Sequence, residues 1–200
     1  MSISGSGHWR MGKASWMCGS SSGRIGPRTS LGGAGSRAER ATAHPLDCWP
    51  DLSAEVWAVN WPGFGTSSGR ASVRGIAEVG VRCYEEIREA ADGRPIVVTG
   101  NSLGTAVALH VAARFRNMAG LILRNPPPLR QLIVGRHAWY SAWLGAWLIA
   151  RQVPPQLDSI HNARGSDVPA VFVTSGKDRT VPPSYQQIVY DAYAGPKRQL

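Results

Sequence analysis

An apolar strand that runs straight into a helix through two glycines is the feature that most constrains this chain. Pro95-Ile96-Val97-Val98-Thr99 is a continuous β-forming run, the kind buried on both faces in a parallel sheet. Gly100-Asn101-Ser102-Leu103-Gly104 follows at once, and Leu103-Gly104-Thr105-Ala106-Val107-Ala108-Leu109 already reads as helix. A turn that sharp forces strained dihedrals on its central residue and crowds the residues two before and two after it. Gly100 and Gly104 have no Cβ to clash. The hydroxyl of Ser102 then stands clear of the sheet's carboxyl edge. The backbone N–H of Leu103 points where an oxyanion would form, and the helix dipole favours negative charge there. The plainer reading is a serine that merely caps a helix.

The rest of the chain repeats the same alternation. Residues 56–60, 95–99, 119–123 and 168–174 read as strands. Residues 72–92, 103–116, 129–164 and 183–194 read as helical, with Asp92-Gly93 ending the first. Strands alternating with helices imply right-handed crossovers, hence an α/β fold with a mostly parallel sheet and helices on both faces. Hydrophobic residues make up 43% of the 200, enough for one core. Residues 1–36 differ: nine Gly and nine Ser fill half of that segment. It buries little apolar surface and loses much entropy on ordering. The expected organisation is a flexible tail over residues 1–36 and a domain over residues 37–200.

The pattern G-x-S-x-G occurs three times, at Gly19 to Gly23, Gly65 to Gly69 and Gly100 to Gly104. In a chain this rich in Gly and Ser the pattern alone decides nothing; context does. The first match lies in the Gly/Ser segment, with no strand expected before it. The second is separated from its strand by the turn Trp61-Pro62-Gly63-Phe64. Only the third has a strand directly before it and a helix directly after.

Gly100-Asn101-Ser102-Leu103-Gly104, preceded by Asn60-Trp61-Pro62-Gly63-Phe64-Gly65-Thr66-Ser67 and followed by Gly176-Lys177-Asp178-Arg179-Thr180-Val181-Pro182, resembles the α/β-hydrolase superfamily. The closest branch is that of serine-aminopeptidase-like and depalmitoylase-like hydrolases. The similarity runs from roughly residue 32 to the C-terminus. It implies a triad in the order serine, acid, histidine. Ser102 takes the first place and Asp178, on the loop after a late strand, the second. The alternative for Asp178 is a carboxylate that only turns its loop. The histidine belongs after the next strand, yet His8, His44, His110, His137 and His161 all precede Asp178. His110 lies two turns beyond Ser102, too far to touch it. His137 and His161 fall in the segment expected to cover the site. The resemblance therefore implies a chain truncated relative to a working enzyme.

The resemblance also asks for a second oxyanion donor on an N-terminal loop. Leu31-Gly32-Gly33-Ala34-Gly35 matches that place, with the N–H of Ala34 as donor. The strand before it would be Arg24-Ile25-Gly26-Pro27-Arg28-Thr29-Ser30, which is not apolar. That strand should lie between the Val56 and Ile96 strands, and the earliest strands of the family have no counterpart. The expected sheet is incomplete at both edges.

Partners and compartment follow from charge and cysteines. The net charge is +9, but the basic residues are scattered and form no nucleic-acid arm, so no specific nucleic-acid binding is expected. Cys18, Cys48 and Cys83 are far apart without a C-x-x-C pair, which argues against a disulfide framework or a zinc site. With no signal-peptide core and no membrane span, the expected location is cytoplasmic. Neither a metal nor an organic cofactor is implied. Residues 138–149 set Trp139, Trp143 and Trp147 on one helical face. That helix lines an acyl pocket, touches a membrane surface, or packs on the core. The function so implied is a serine hydrolase attacking an ester, thioester or small amide, weak or inactive without its histidine. The alternative is a non-catalytic fragment that binds.

Overall fold

In the computed structural model, which describes residues 14–19, 38–41, 54–59, 61, 72–137 and 143–200, the described strands form one sheet. They are β1 Ala14–Gly19, β2 Ala38–Ala41, β3 Ala54–Val59, β4 Ile96–Asn101, β5 Gly120–Arg124, β6 Ala170–Val173 and β7 Lys197–Gln199. Their order is β2-β3-β1-β4-β5-β6-β7. Every pair is parallel except β2 with β3, which is antiparallel. The described helices are α1 Val73–Ala91, α2 Leu103–Arg114, α3 Leu129–His137, α4 Trp143–Arg151, α5 Ser159–Gly165 and α6 Pro183–Ala192. The mostly parallel α/β architecture is as the alternation of elements predicts.

The centre of the sheet differs from expectation. The strand between β3 and β4 is β1, not residues 24–30. It comes from inside the segment read as a flexible tail. Averaged over 36 residues, Gly and Ser hide the short run Trp16-Met17-Cys18. Between two parallel neighbours its backbone groups have ladder partners on both sides, which stabilises a strand of modest apolar content. The run at 24–30 carries two arginines and a proline, and proline cannot donate to a central ladder.

Burial alternates along the strands as a pleat requires. Ile96, Val98, Leu121, Leu123, Ala170 and Phe172 are buried, and registration places them on one face. Four helices, α1, α2, α5 and α6, pack on one another in a row along that face. Phe172 is held edge-on between Tyr190 and Tyr193, with ring centroids at 5.1 and 5.4 Å. Half-buried Val97, Ile122 and Val171 lie on the other face and help line a shallow groove of about 440 Å³.

Local chemistry sets the helix ends. The Ser72 hydroxyl oxygen accepts the Gly75 N–H at 3.0 Å and opens α1. Asp92, with φ 47°, and Gly93, with φ 78°, end it in the left-handed region. The buried stripe Ile76, Ala77, Gly80, Cys83, Tyr84, Ile87 and Ala91 has helical spacing. Gly80 faces Val107 of α2 so closely that a Cβ would overlap that side chain.

Replacing Phe172 by Ala is expected to cost about 3–5 kcal/mol, read by urea unfolding. Val73→Ala at a position 48% exposed should cost no more than about 0.5 kcal/mol.

Candidate active site

Where β4 passes into α2 the backbone does what two glycines permit. Ser102 sits at φ 51°, ψ −121°, a conformation that costs an ordinary side chain roughly 1–3 kcal/mol. Its side chain makes no capping bond to α2, so the plain helix-cap reading does not hold. The turn is pinned by other groups. The Ser102 N–H donates to Arg124 O at 2.9 Å, and the Thr105 N–H and hydroxyl both donate to Ser102 O, at 2.9 and 2.6 Å. A Cβ on Gly100 would lie 2.6 Å from Gly104 O and 2.7 Å from Thr105 N. Those are backbone atoms that cannot move aside. Leu103 is the first residue of α2, so its N–H has no acceptor within the helix.

Because β4, β5 and β6 are parallel neighbours, their carboxyl ends share one edge, about 4.8 Å apart per strand. Hydrogen bonds cross that edge step by step. Ser102 N–H reaches β5 at Arg124. Asn125, with φ 50°, donates its N–H to Val173 O at 3.0 Å, and its Oδ1 accepts the Ser175 N–H at 3.0 Å. The Asp178 N–H then donates to Ser175 O at 3.1 Å. Asp178 Oδ1 accepts the N–H groups of Thr180 at 2.8 Å and Val181 at 3.0 Å. Asp178 thus does turn its loop, and both of these bonds fall on Oδ1. Asn125 has no role in the sequence reading. The missed signal was an amide residue directly after a strand and before prolines, since Asn tolerates the left-handed region.

The remaining expected residues are dispersed. Ala34, His8 and His44 lie outside the described residues, as do Ser21 and Ser67 of the other two G-x-S-x-G matches. A strand, β1, does precede the first match, contrary to expectation. Only Ser102 joins a described strand to a described helix. His110 is half-buried on α2, where burial holds its imidazole below the ordinary value; the Asn162 hydrogen bond opposes this shift and Arg114 adds to it. His161 is exposed on α5, its N–H bound by Asp158 Oδ1 at 3.0 Å. His137 is the last residue of α3. Cys83 lies on the buried face of α1, and burial first, then Glu86, pushes its thiol up to about 12, which removes it as a nucleophile.

Helices α3 and α4 pack together. The described α4 is Trp143–Arg151, and residues 138–142 lie outside the described residues. An open cleft of about 640 Å³ runs between α3, α4 and Tyr185 of α6, walled by Val134, Trp147, Ala150, Arg130 and Arg151. Gly135 lets α3 meet the Tyr185 hydroxyl, where a Cβ would collide. Arg130 is anchored by Asp158 at 3.1 Å and by Val153 O at 3.1 Å. The described residues lining this cleft do not include Ser102 or Asp178.

Comparison with known proteins agrees with this architecture. Residues 32–168 match the sequence model described as "alpha/beta hydrolase fold". Human Protein ABHD12B is 25% identical over 178 residues, covering 78% of this chain and 47% of that protein. The chain thus spans about half the length of that curated relative. Acetyl xylan esterase from Paenibacillus sp. R4 superposes with a TM-score of 0.68 at 15% identity, covering 95% of this chain and 67% of that one. Est1E from Butyrivibrio proteoclasticus, solved with ferulic acid, gives a TM-score of 0.63 at 12% identity over 95% and 79% of the two chains.

Gly100→Ala is expected to lower stability by about 2–4 kcal/mol, because the added Cβ would meet backbone atoms of Gly104 and Thr105; thermal or urea unfolding measures it. His110 gives a pH signature. Its folded value lies below the unfolded 6.5, so the unfolded chain binds more protons between the two. The stability it contributes is present above 6.5 and is lost as pH falls through the folded value. Urea midpoints for His110→Gln should fall less steeply than wild type over that window.

Proposed function

Because the chain belongs to the alpha/beta hydrolase family, we propose that Ser102 is the nucleophile of a serine hydrolase acting on an ester, thioester or small amide. The observation that carries this is the dihedral pair of Ser102, φ 51° and ψ −121°, with its side chain unspent on helix capping. Strain of this kind persists only where the surrounding bonds enforce it, and it presents the hydroxyl at the edge shared by three strand ends.

In this reading Ser102 Oγ attacks the carbonyl carbon as its proton passes to a base. The carbonyl oxygen becomes an oxyanion held by the Leu103 N–H and a second donor, assigned to Ala34. Collapse expels the alcohol, thiol or amine, and water then releases the acid. Asp178 is assigned to orient the imidazole of a triad histidine that these 200 residues lack, through the oxygen not used by Thr180 and Val181. The acyl class draws support from two structural neighbours whose names say esterase or whose bound molecule is ferulic acid. A cytoplasmic location belongs to the same reading, and the cysteine usage suits a reducing compartment.

No histidine follows Asp178 in the 200 residues. Loss of that one group in another serine hydrolase costs on the order of 10⁶ in kcat, so the 200-residue chain is read as acylating slowly and turning over hardly at all. A second reading, a chain that keeps the sheet and acts by binding, is favoured by the cleft between α3 and α4, whose described lining does not include Ser102 or Asp178.

Incubation with p-nitrophenyl acetate separates the two. Release approaching one p-nitrophenol per chain over hours, absent from Ser102→Ala, is expected for the hydrolase. Asp178→Asn should leave that single release unchanged, since there is no imidazole for it to orient. Release that survives Ser102→Ala sinks the nucleophile assignment. Turnover at ordinary enzyme rates, about 1–10³ per second, sinks the account of the missing base.

A further inference from the structure

We propose that α4 docks this protein on an anionic lipid bilayer. Trp147, Leu148 and Ile149 are consecutive in α4 and 41%, 50% and 57% exposed, while the next residue, Ala150, is buried. Soluble surfaces rarely present three large apolar side chains side by side without a partner. Their spacing says what kind of partner. A helix that binds a protein groove offers a narrow stripe at i, i+3, i+4 and i+7. Three consecutive residues spread over about 200° of the helix circumference at 3.6 residues per turn, a broad face suited to a flat, fluid surface.

The described charged residues beside this face are Arg130 and Arg151, which wall the cleft that Trp147 also lines. Arg130 pairs with Asp158 at 3.1 Å. Arg151 sits over the Trp147 ring at 4.5 Å and has no carboxylate partner among the described residues. A tryptophan with a guanidinium on its face suits the headgroup level, where an apolar ring meets anionic lipid. At nine residues α4 is about 14 Å long, and no described helix is long and apolar enough to cross a membrane. The proposed contact is made by side chains of α4 at the bilayer surface. The cleft walled by Trp147 and Arg151 opens beside the docked face. None of this depends on Ser102, so Ser102→Ala should dock like wild type.

Co-sedimentation of the full chain with phosphatidylcholine vesicles, with and without phosphatidylserine, tests the proposal. Wild type is expected to sediment with the phosphatidylserine vesicles, weakly with phosphatidylcholine alone, and less as salt rises. Leu148→Ser combined with Ile149→Ser should lower partitioning about tenfold or more on both vesicles. Arg151→Gln should lower only the phosphatidylserine preference, by about fivefold, and it keeps the test open should the double variant not fold. Wild type left in the supernatant overturns the proposal, as does Arg151→Gln sedimenting like wild type on every vesicle. So does a wild-type dimer in light scattering that the double variant converts to monomer, because a second copy would then be what covers α4.

Discussion

The contact between Gly100 and the backbone of Gly104 and Thr105 is the constraint on which the rest depends. It lets a central strand become a helix within one residue. With any side chain at position 100, the carbonyl of Gly104 at 2.6 Å would have to retreat. The helix would then start elsewhere, and Ser102 would lose the dihedrals that set its hydroxyl apart. Thr105 doubles the closure by giving both its N–H and its hydroxyl to Ser102 O. The strain at Ser102 is thus held by bonds on both flanks and by the sheet beneath, through Arg124 O.

Sheet order sets two other strand ends beside that local bend. Parallel pairing of β4, β5 and β6 brings their carboxyl ends to one edge. Asn125 is the link between them. In a left-handed conformation it ties β5 to Val173 and Ser175. Ser175 in turn fixes the start of the loop that carries Asp178. A carboxylate 76 residues away in sequence is therefore positioned relative to Ser102 by backbone hydrogen bonds rather than by its own reach.

What could be read in the sequence was local. The run Ile96 to Leu109 contains its own instructions, and so does the end of α1 at Asp92-Gly93. What could not be read was decided at a distance. Strand β1 draws its stability from β3 and β4 on either side, so composition alone argued for a tail. The same strand undid half of the reasoning that set aside the first G-x-S-x-G match. Asn125 looked like punctuation because its partners Val173 and Ser175 lie about 50 residues on. The sequence left α4 free to line a pocket, to touch a membrane surface or to pack on the core. Trp147 does line a cleft, while Leu148 and Ile149 face outward, a division that periodicity could not assign in so apolar a stretch.

The central claim is that one strained serine, among the many in this chain, is chemically singled out. Prolonged reaction with a fluorophosphonate followed by peptide mass analysis tests it most directly. The account predicts a single adduct on the peptide carrying Ser102, and none on those carrying Ser21 or Ser67. Modification spread evenly over the serines, or confined to a peptide without Ser102, would contradict it.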